Sequence, residues 1–280
     1  MTKTRIISAL IMAPIAIALI LLLPTSWLIA LIAVVFAVGL WEWFALSDIE
    51  DTLSRALLVA ANLAVMSALV WGSKVGTGNS TAPFMILTIL GALWWCIAPL
   101  WLKNRSFGSH HEGWSKVLKL GVGSIVFLSA WSAMAMIHGS EPHGNRWLLV
   151  ALVCVWAADS GAYFTGKFLG KRKMAPNISP NKTVEGLVGG LAASVLFGLL
   201  FAWIAQVDQN DVMKVALVLL ITAGFSVIGD LFESLLKRQA GVKDSGNVIP
   251  GHGGILDRID SLLFAVPASL IYLVVIKNLL

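Results

Sequence analysis

Apolar residues in this chain run in long blocks, and the blocks recur from one end to the other. Nine stretches, roughly 5–23, 27–46, 54–71, 84–102, 115–137, 147–166, 184–205, 212–231 and 259–277, each approach the ~20 residues that a helix needs to cross a bilayer's hydrocarbon core. The pattern predicts an all-α polytopic membrane protein of about nine transmembrane helices. The first block follows a basic head, Lys3 and Arg5, and so imitates a secretory signal. No small-x-small cleavage site follows Pro24, so the block is expected to remain as an uncleaved first span.

Composition narrows the class. Only 12% of the 280 residues are charged and 58% are apolar, whereas a soluble domain carries about 25% charge. Soluble, disordered and nucleic-acid-binding readings are excluded together; the bilayer is the expected partner. The net charge of +5 is explained by topology. With the N-terminus in the cytoplasm, only Lys74, Arg146, Lys214 and Lys277 of the 20 Lys and Arg residues fall outside. That asymmetry is the positive-inside signal, and it predicts a cytoplasmic N-terminus and an outer C-terminus. Twelve tryptophans against two tyrosines suit the wet edges of a bilayer. Cys96 and Cys154 lie in apolar runs without metal or redox spacing and read as buried small hydrophobes. The histidines at 110, 111, 138 and 143 read as solvated loop residues.

The expected inner loops after the sixth and eighth spans hold most of the Gly, Pro, Lys and Asp of the second half. The chain therefore divides into residues 1–140, a set of N-terminal helices for scaffolding, dimerisation or lipid access, and residues 141–280, a catalytic region with its site on the cytoplasmic face. In the first part Glu42 is the one intramembrane acid, near a helix end, where it can snorkel or pair. No internal repeat supports an inverted-repeat transporter.

Chemistry concentrates between residues 230 and 260. If the eighth helix continues past the headgroups, Asp230, Glu233, Ser234 and Lys237 share one face. Asp257, Asp260 and Ser261 repeat the spacing at the start of the ninth helix. Two carboxylate-bearing helix ends joined by a Gly-rich loop can converge on a hard cation, for which Mg²⁺ with substrate phosphates is the natural choice. The run Pro250-Gly251-His252-Gly253-Gly254 lets backbone N–H groups approach an anion closely. Lys237, Arg238, Lys243 and Arg258 supply the positive charge that a polyphosphate requires. Five acids, four bases and five glycines in this segment are too concentrated for membrane anchoring alone. Together they describe a site for a Mg-nucleotide or pyrophosphate.

Two smaller clusters precede it. In Ser179-Pro180-Asn181-Lys182-Thr183-Val184-Glu185-Gly186, Thr183 is placed to cap the seventh helix, leaving Lys182 and the positive helix end to an anion; Glu185 complements the dipole. Asp159, in Asp159-Ser160-Gly161-Ala162-Tyr163, lies inside the sixth apolar stretch, where an acid is costly and usually functional.

The segment Ser234-x-x-Lys237-Arg238-x4-Lys243-Asp244-x4-Ile249-Pro250-x-His252-Gly253-Gly254-Ile255-x-Asp257-Arg258-x-Asp260 resembles the signature of the CDP-diacylglycerol synthase (phosphatidate cytidylyltransferase) family of bacterial type. The two smaller clusters resemble that family's other motifs and occur in the right order, with Asn181 standing where a second basic residue is common. The likeness covers roughly residues 155–262. It implies transfer of CMP from CTP to phosphatidic acid, giving CDP-diacylglycerol and pyrophosphate, by a multi-pass protein of the bacterial inner membrane acting as a homodimer. It implies Mg²⁺ held by Asp230 and Asp257, with a monovalent cation such as K⁺ as an auxiliary. Lys182, Lys237 and Arg238 would contact phosphates, His252, Gly253 and Gly254 would shape the pyrophosphate loop, and Asp159 and Asp260 would lie in the polar centre. Ser179, Thr183, Glu185, Ser234, Lys243, Asp244 and Arg258 complete the expected substrate-binding set. Joining two anions needs charge neutralisation and alignment more than a strong base, which suits a site without a Ser/His/Asp arrangement. A CTP-dependent lipid-alcohol kinase and an ion-coupled transporter are the alternatives.

Overall fold

A computed structural model describes residues 2–75, 81–109, 113–140, 142–207, 212–249 and 253–277. Among them are nine helices: α1 (Thr2–Leu22), α2 (Thr25–Leu46), α3 (Thr52–Val75), α4 (Ala82–Lys103), α5 (Gly113–Gly139), α6 (Gly144–Leu169), α7 (Val184–Ile204), α8 (Val212–Gln239) and α9 (Leu256–Lys277). Within the described residues, α2 to α8 are long and apolar enough to cross a membrane. Their limits follow the apolar blocks closely except that α8 runs on to Gln239, as the one-face reading of Asp230 to Lys237 requires. It stops at Gly241, which adopts φ +70°. There Gly241 N–H donates to the Arg238 carbonyl and Val242 N–H to that of Lys237, the paired bonds of a Schellman cap that only a residue tolerant of positive φ closes cheaply.

Hydrophobic patterning did not predict the short antiparallel pair β1 (Lys173–Ala175) and β2 (Ser179–Thr183) between α6 and α7. The carboxylate of Glu185 ties this hairpin to the start of α7, accepting from the N–H groups of Lys171 at 2.9 Å and Arg172 at 3.0 Å and from Arg172 Nε at 3.0 Å. Ile178, 5% exposed, anchors the turn in the core.

Long-range bonds sort the connections into two ends. At one, His138 bonds Thr25 Oγ1 and the Ile20 carbonyl, both at 2.9 Å, and Arg146 donates to the Ala205 carbonyl at 2.8 Å. At the other, Lys116 donates to the Asp48 carbonyl at 3.2 Å, Gln239 to those of Arg105 and Phe107 at 3.0 Å, and Arg238 to that of Ile178 at 3.4 Å. The hairpin and the α8–α9 loop thus share an end with the α2–α3 and α4–α5 connections. His138 departs from its expected solvated role: it is 8% exposed, because both ring nitrogens are needed to close the opposite end.

The core is built on α5, whose most apolar stretch is 72% buried, while that of α3 is 11% buried. Tryptophan also departs from expectation. Trp43, Trp95, Trp101, Trp131 and Trp147 are buried, and Trp43 stacks on Phe232 with ring centroids 6.1 Å apart. Only Trp27, Trp71, Trp114 and Trp203 are exposed large residues near helix ends. Large rings fill gaps between helices that the aliphatic side chains leave, so the indoles serve packing as well as the interface. Neither cysteine forms a disulfide; Cys154 is buried and donates to the Leu219 carbonyl at 3.3 Å, whereas Cys96 is exposed, against the expectation that both are buried.

Helices α6 and α7 meet along a seam of small residues. A Cβ added at Gly190 would stand 2.7 Å from the Ala158 carbonyl oxygen, and one at Gly186 would stand 2.9 Å from that of Ala162. The obstructing atoms are backbone and cannot rotate away, so the helices depend on glycine for their spacing. Gly190→Val is expected to cost about 1–3 kcal/mol through overpacking, read as a lowered melting temperature of the detergent-solubilised protein, whereas the same change at Gly72, whose Cβ would meet nothing within 4 Å, leaves it near the wild-type value.

Candidate active site

At the Lys-rich end the hairpin, α6, α7 and α8 enclose a cavity of about 640 Å³. Asp159, Tyr163 and Lys167 come from one face of α6, Ser179, Lys182 and Thr183 from β2, and Asp230 from α8. The hairpin presents Lys182 to Asp230, whose Oδ2 lies 2.5 Å from the lysine ammonium. Ser234, one turn on, donates to Asp230 Oδ1 at 3.4 Å. Thr183 caps α7 as its sequence predicts, accepting from Gly186 N–H at 3.0 Å. The α6 wall turns outward into exposed Tyr163, Phe164, Phe168 and Leu169, with the Lys167 ammonium 5.9 Å from the Tyr163 ring and 5.7 Å from that of Phe168. An apolar collar thus carries a cation at the cavity's edge.

A second centre lies where α8 meets α9. The buried Lys237 ammonium is shared between Glu233 and Asp257, 2.6 Å from Asp257 Oδ1. Asp257 Oδ2 accepts from Ser245 N–H at 2.9 Å, Ser245 Oγ at 3.0 Å and Gly254 N–H at 2.8 Å. The loop is closed on itself where Ile249 N–H donates to the Gly253 carbonyl at 2.9 Å. Gly253 has φ +83°, and a Cβ there would crowd Asp257 Oδ2 at 2.5 Å; conformation and close approach both require glycine. Beneath the loop, Glu42 of α2 is 4% exposed and accepts from Ser245 Oγ at 2.9 Å, Ile255 N–H at 3.1 Å and Leu256 N–H at 2.7 Å. Asp260, 8% exposed, lies within electrostatic reach of Asp230, Glu233 and Asp159 and so connects the two centres.

The sequence-predicted residues therefore divide. Asp159, Ser179, Lys182, Thr183 and Asp230 meet at the cavity. Lys237, Gly253, Gly254 and Asp257 build the loop centre, with the Lys237 charge directed at carboxylates. Asp230 and Asp257 are engaged by different lysines. Arg238 reaches the Ile178 and Val242 carbonyls, Glu185 holds the hairpin, and Arg258 interacts with Asp159 through its charge. Lys243 and Asp244 are exposed on the loop. His252 lies outside the described residues. Among the described residues, no three His, Cys, Asp or Glu gather into a protein-only metal cage.

Glu42, Lys167 and Lys173 are not among the sequence-predicted site residues; Glu233 is read from the sequence on the Asp230–Lys237 face but without a role, and Asn181 only as part of its motif. For Lys167 a signal existed: Asp159, Tyr163 and Lys167 stand at i, i+4 and i+8, one face of a helix. For Glu42 the signal was a lone acid in an apolar block, but its partners lie more than 200 residues away.

The motifs of residues 155–262 thus fall on one end of one helical bundle, which is how a membrane nucleotidyltransferase would hold them. The chain belongs to the cytidylyltransferase family, whose model matches residues 3–276. It is 37% identical over 269 residues to a phosphatidate cytidylyltransferase of Pseudomonas aeruginosa, covering 95% of each chain. It is 36% identical to that of Haemophilus influenzae, over 95% of this chain and 96% of the relative, and 36% identical to that of Synechocystis, over 100% and 99%.

Lys237 separates two buried carboxylates. Removing one partner from such a cluster leaves uncompensated charge at a cost of about 3–5 kcal/mol. Lys237→Met is expected to lower the melting temperature sharply, and Glu233→Gln added to Lys237→Met to restore much of the loss.

Proposed function

We propose that this chain transfers the cytidylyl group of CTP to phosphatidic acid, forming CDP-diacylglycerol and releasing pyrophosphate, at the cytoplasmic face of the bacterial inner membrane. The end-to-end match with phosphatidate cytidylyltransferases carries the reading, and the two shorter motifs of that resemblance, around Asp159 and around Lys182, line the cavity of about 640 Å³. In the reaction a phosphate oxygen of phosphatidate attacks the α-phosphorus of CTP; the new P–O bond replaces the bond to the β-phosphate, and pyrophosphate leaves. The nucleophile is already ionised, so no protein base must remove a proton. The barrier lies in bringing two anions into line. Lys182 and Lys167 offer charge at the cavity wall; such preorganised charge acts where negative charge develops. The collar of Tyr163, Phe164 and Phe168 suits a lipid that arrives sideways with its phosphate at the level of Lys167.

Mg²⁺ fits this donor set. Asp159, Asp230, Glu233 and Asp260 feel one another's charge, and an anionic substrate would add to the repulsion unless a cation joined it. Asp230 and Asp257 are the expected pair for the ion, carboxylates being what Mg²⁺ takes beside phosphate oxygens and water; Asp257, held by Lys237 at Oδ1 and by Ser245 and Gly254 at Oδ2, would have to exchange some of these partners to join Asp230 around it. Bound, it supplies charge neutralisation at the transferring phosphoryl group; K⁺ is the auxiliary ion. An N-terminus in the cytoplasm, a C-terminus outside and a homodimer complete the reading; the Lys and Arg distribution supports the orientation.

With purified protein, Mg²⁺, phosphatidate and CTP labelled at the α-phosphate, the label is expected in the lipid, and Asp230→Asn to lower that transfer at least about a hundredfold. Label accumulating in CDP instead would point to a lipid-alcohol kinase and overturn the proposal.

A further inference from the structure

Glu42 is expensive where it stands. It is a carboxylate 4% exposed, on a helix that otherwise contributes apolar residues to the core. A residue kept for packing alone would be apolar, because an acid withdrawn from water must be supplied with donors. Among the described residues its donors come from the α8–α9 loop and the first turn of α9: Ser245 Oγ at 2.9 Å, Ile255 N–H at 3.1 Å and Leu256 N–H at 2.7 Å. The last two are among the orphan amides that begin a helix, where negative charge is favoured. Gly246 and Gly254 make the approach possible, since a Cβ at either would run into the Glu42 carboxyl group. Ser245 completes the connection. Its single hydroxyl proton lies within reach of Glu42 Oε2 at 2.9 Å and Asp257 Oδ2 at 3.0 Å, so it serves one carboxylate at a time, while its N–H stays on Asp257 at 2.9 Å.

We propose that Glu42, a residue of the N-terminal half, is a positioning residue for cytidylyl transfer: through Ser245 and the amides of Ile255 and Leu256 it fixes the glycine loop and the first turn of α9, and thereby the direction of the Asp257 carboxylate. Glu42 itself does not touch substrate. The proposal rests on the function given above and deepens it, because it makes the first half of the chain part of the site's foundation.

The test is hydrogen exchange on the full-length protein in nanodiscs without substrate, paired with steady-state kinetics. Glu42→Gln keeps the shape but replaces one acceptor oxygen with a donor NH₂ group. The Ile255 and Leu256 amides are expected to exchange about tenfold faster or more, while α2, α5 and α8 keep wild-type protection. In kinetics kcat is expected to fall about tenfold or more, with KM for phosphatidate within about twofold of wild type. Unchanged exchange at residues 255 and 256, uniformly faster exchange in all helices, or an unchanged kcat would each overturn the proposal. Ser245→Ala, which spares the two amide bonds, is expected to lower kcat with residues 255 and 256 still protected; if kcat does not fall, the proposed link is wrong. A wild-type protein that makes no CDP-diacylglycerol would count against the proposed function alone, because the exchange measurement needs no turnover.

Discussion

Ionised carboxylates at the edge of a low-dielectric bilayer must each be given a cation or a set of N–H donors, and this requirement organises the polar end of the molecule. Where these acids are withdrawn from water the requirement is strict, and four of them each fix the position of another element. Asp230 fixes the hairpin through Lys182. Asp257 fixes α8 against α9 through Lys237 and draws the glycine loop over itself. Glu185 fixes the base of the hairpin. Glu42 fixes the loop from beneath. The helices provide a scaffold of ordinary apolar packing; the acids determine how the connecting segments lie on it.

The same requirement suits the chemistry. A reaction between two anions needs positive charge held in advance, so that little reorganisation remains when the substrates meet. Lysines already held by carboxylates are partly stripped of water and fixed in direction. On the proposed function, an incoming phosphate would compete with Asp230 for Lys182.

Much of this was legible in the sequence. The nine helices could be read because an apolar block of span length has few other uses, and the continuation of α8 followed from the spacing of Asp230, Glu233, Ser234 and Lys237. Thr183 as a cap was a local pattern and was found. The hairpin is not legible, because its strands are short and polar and are tied at their base by Glu185, whose bonds to residues 171 and 172 join the two ends of the hairpin. Glu42 stood out as an acid in an apolar block, yet its function depends on a loop two hundred residues later that no periodicity connects to it. Buried tryptophans escaped for a related reason: an indole carries the same letter in a core as at a membrane edge. The burial of His138 has no local sign because the Thr25 and Ile20 atoms that satisfy its ring come from helices distant in the chain.

The seam between α6 and α7 has a consequence for the molecule in its lipid setting. Its spacing is set by main-chain atoms against glycine and alanine, so the two helices behave mechanically as a single stiff strut. When bilayer thickness changes, spanning helices accommodate by tilting. A strut of this kind tilts as one piece, and the residues mounted on it, Asp159 on one rod and the Thr183 cap on the other, travel together without shearing past each other. The constancy of the cavity wall across membranes of different composition would then come from residues that have almost no side chain.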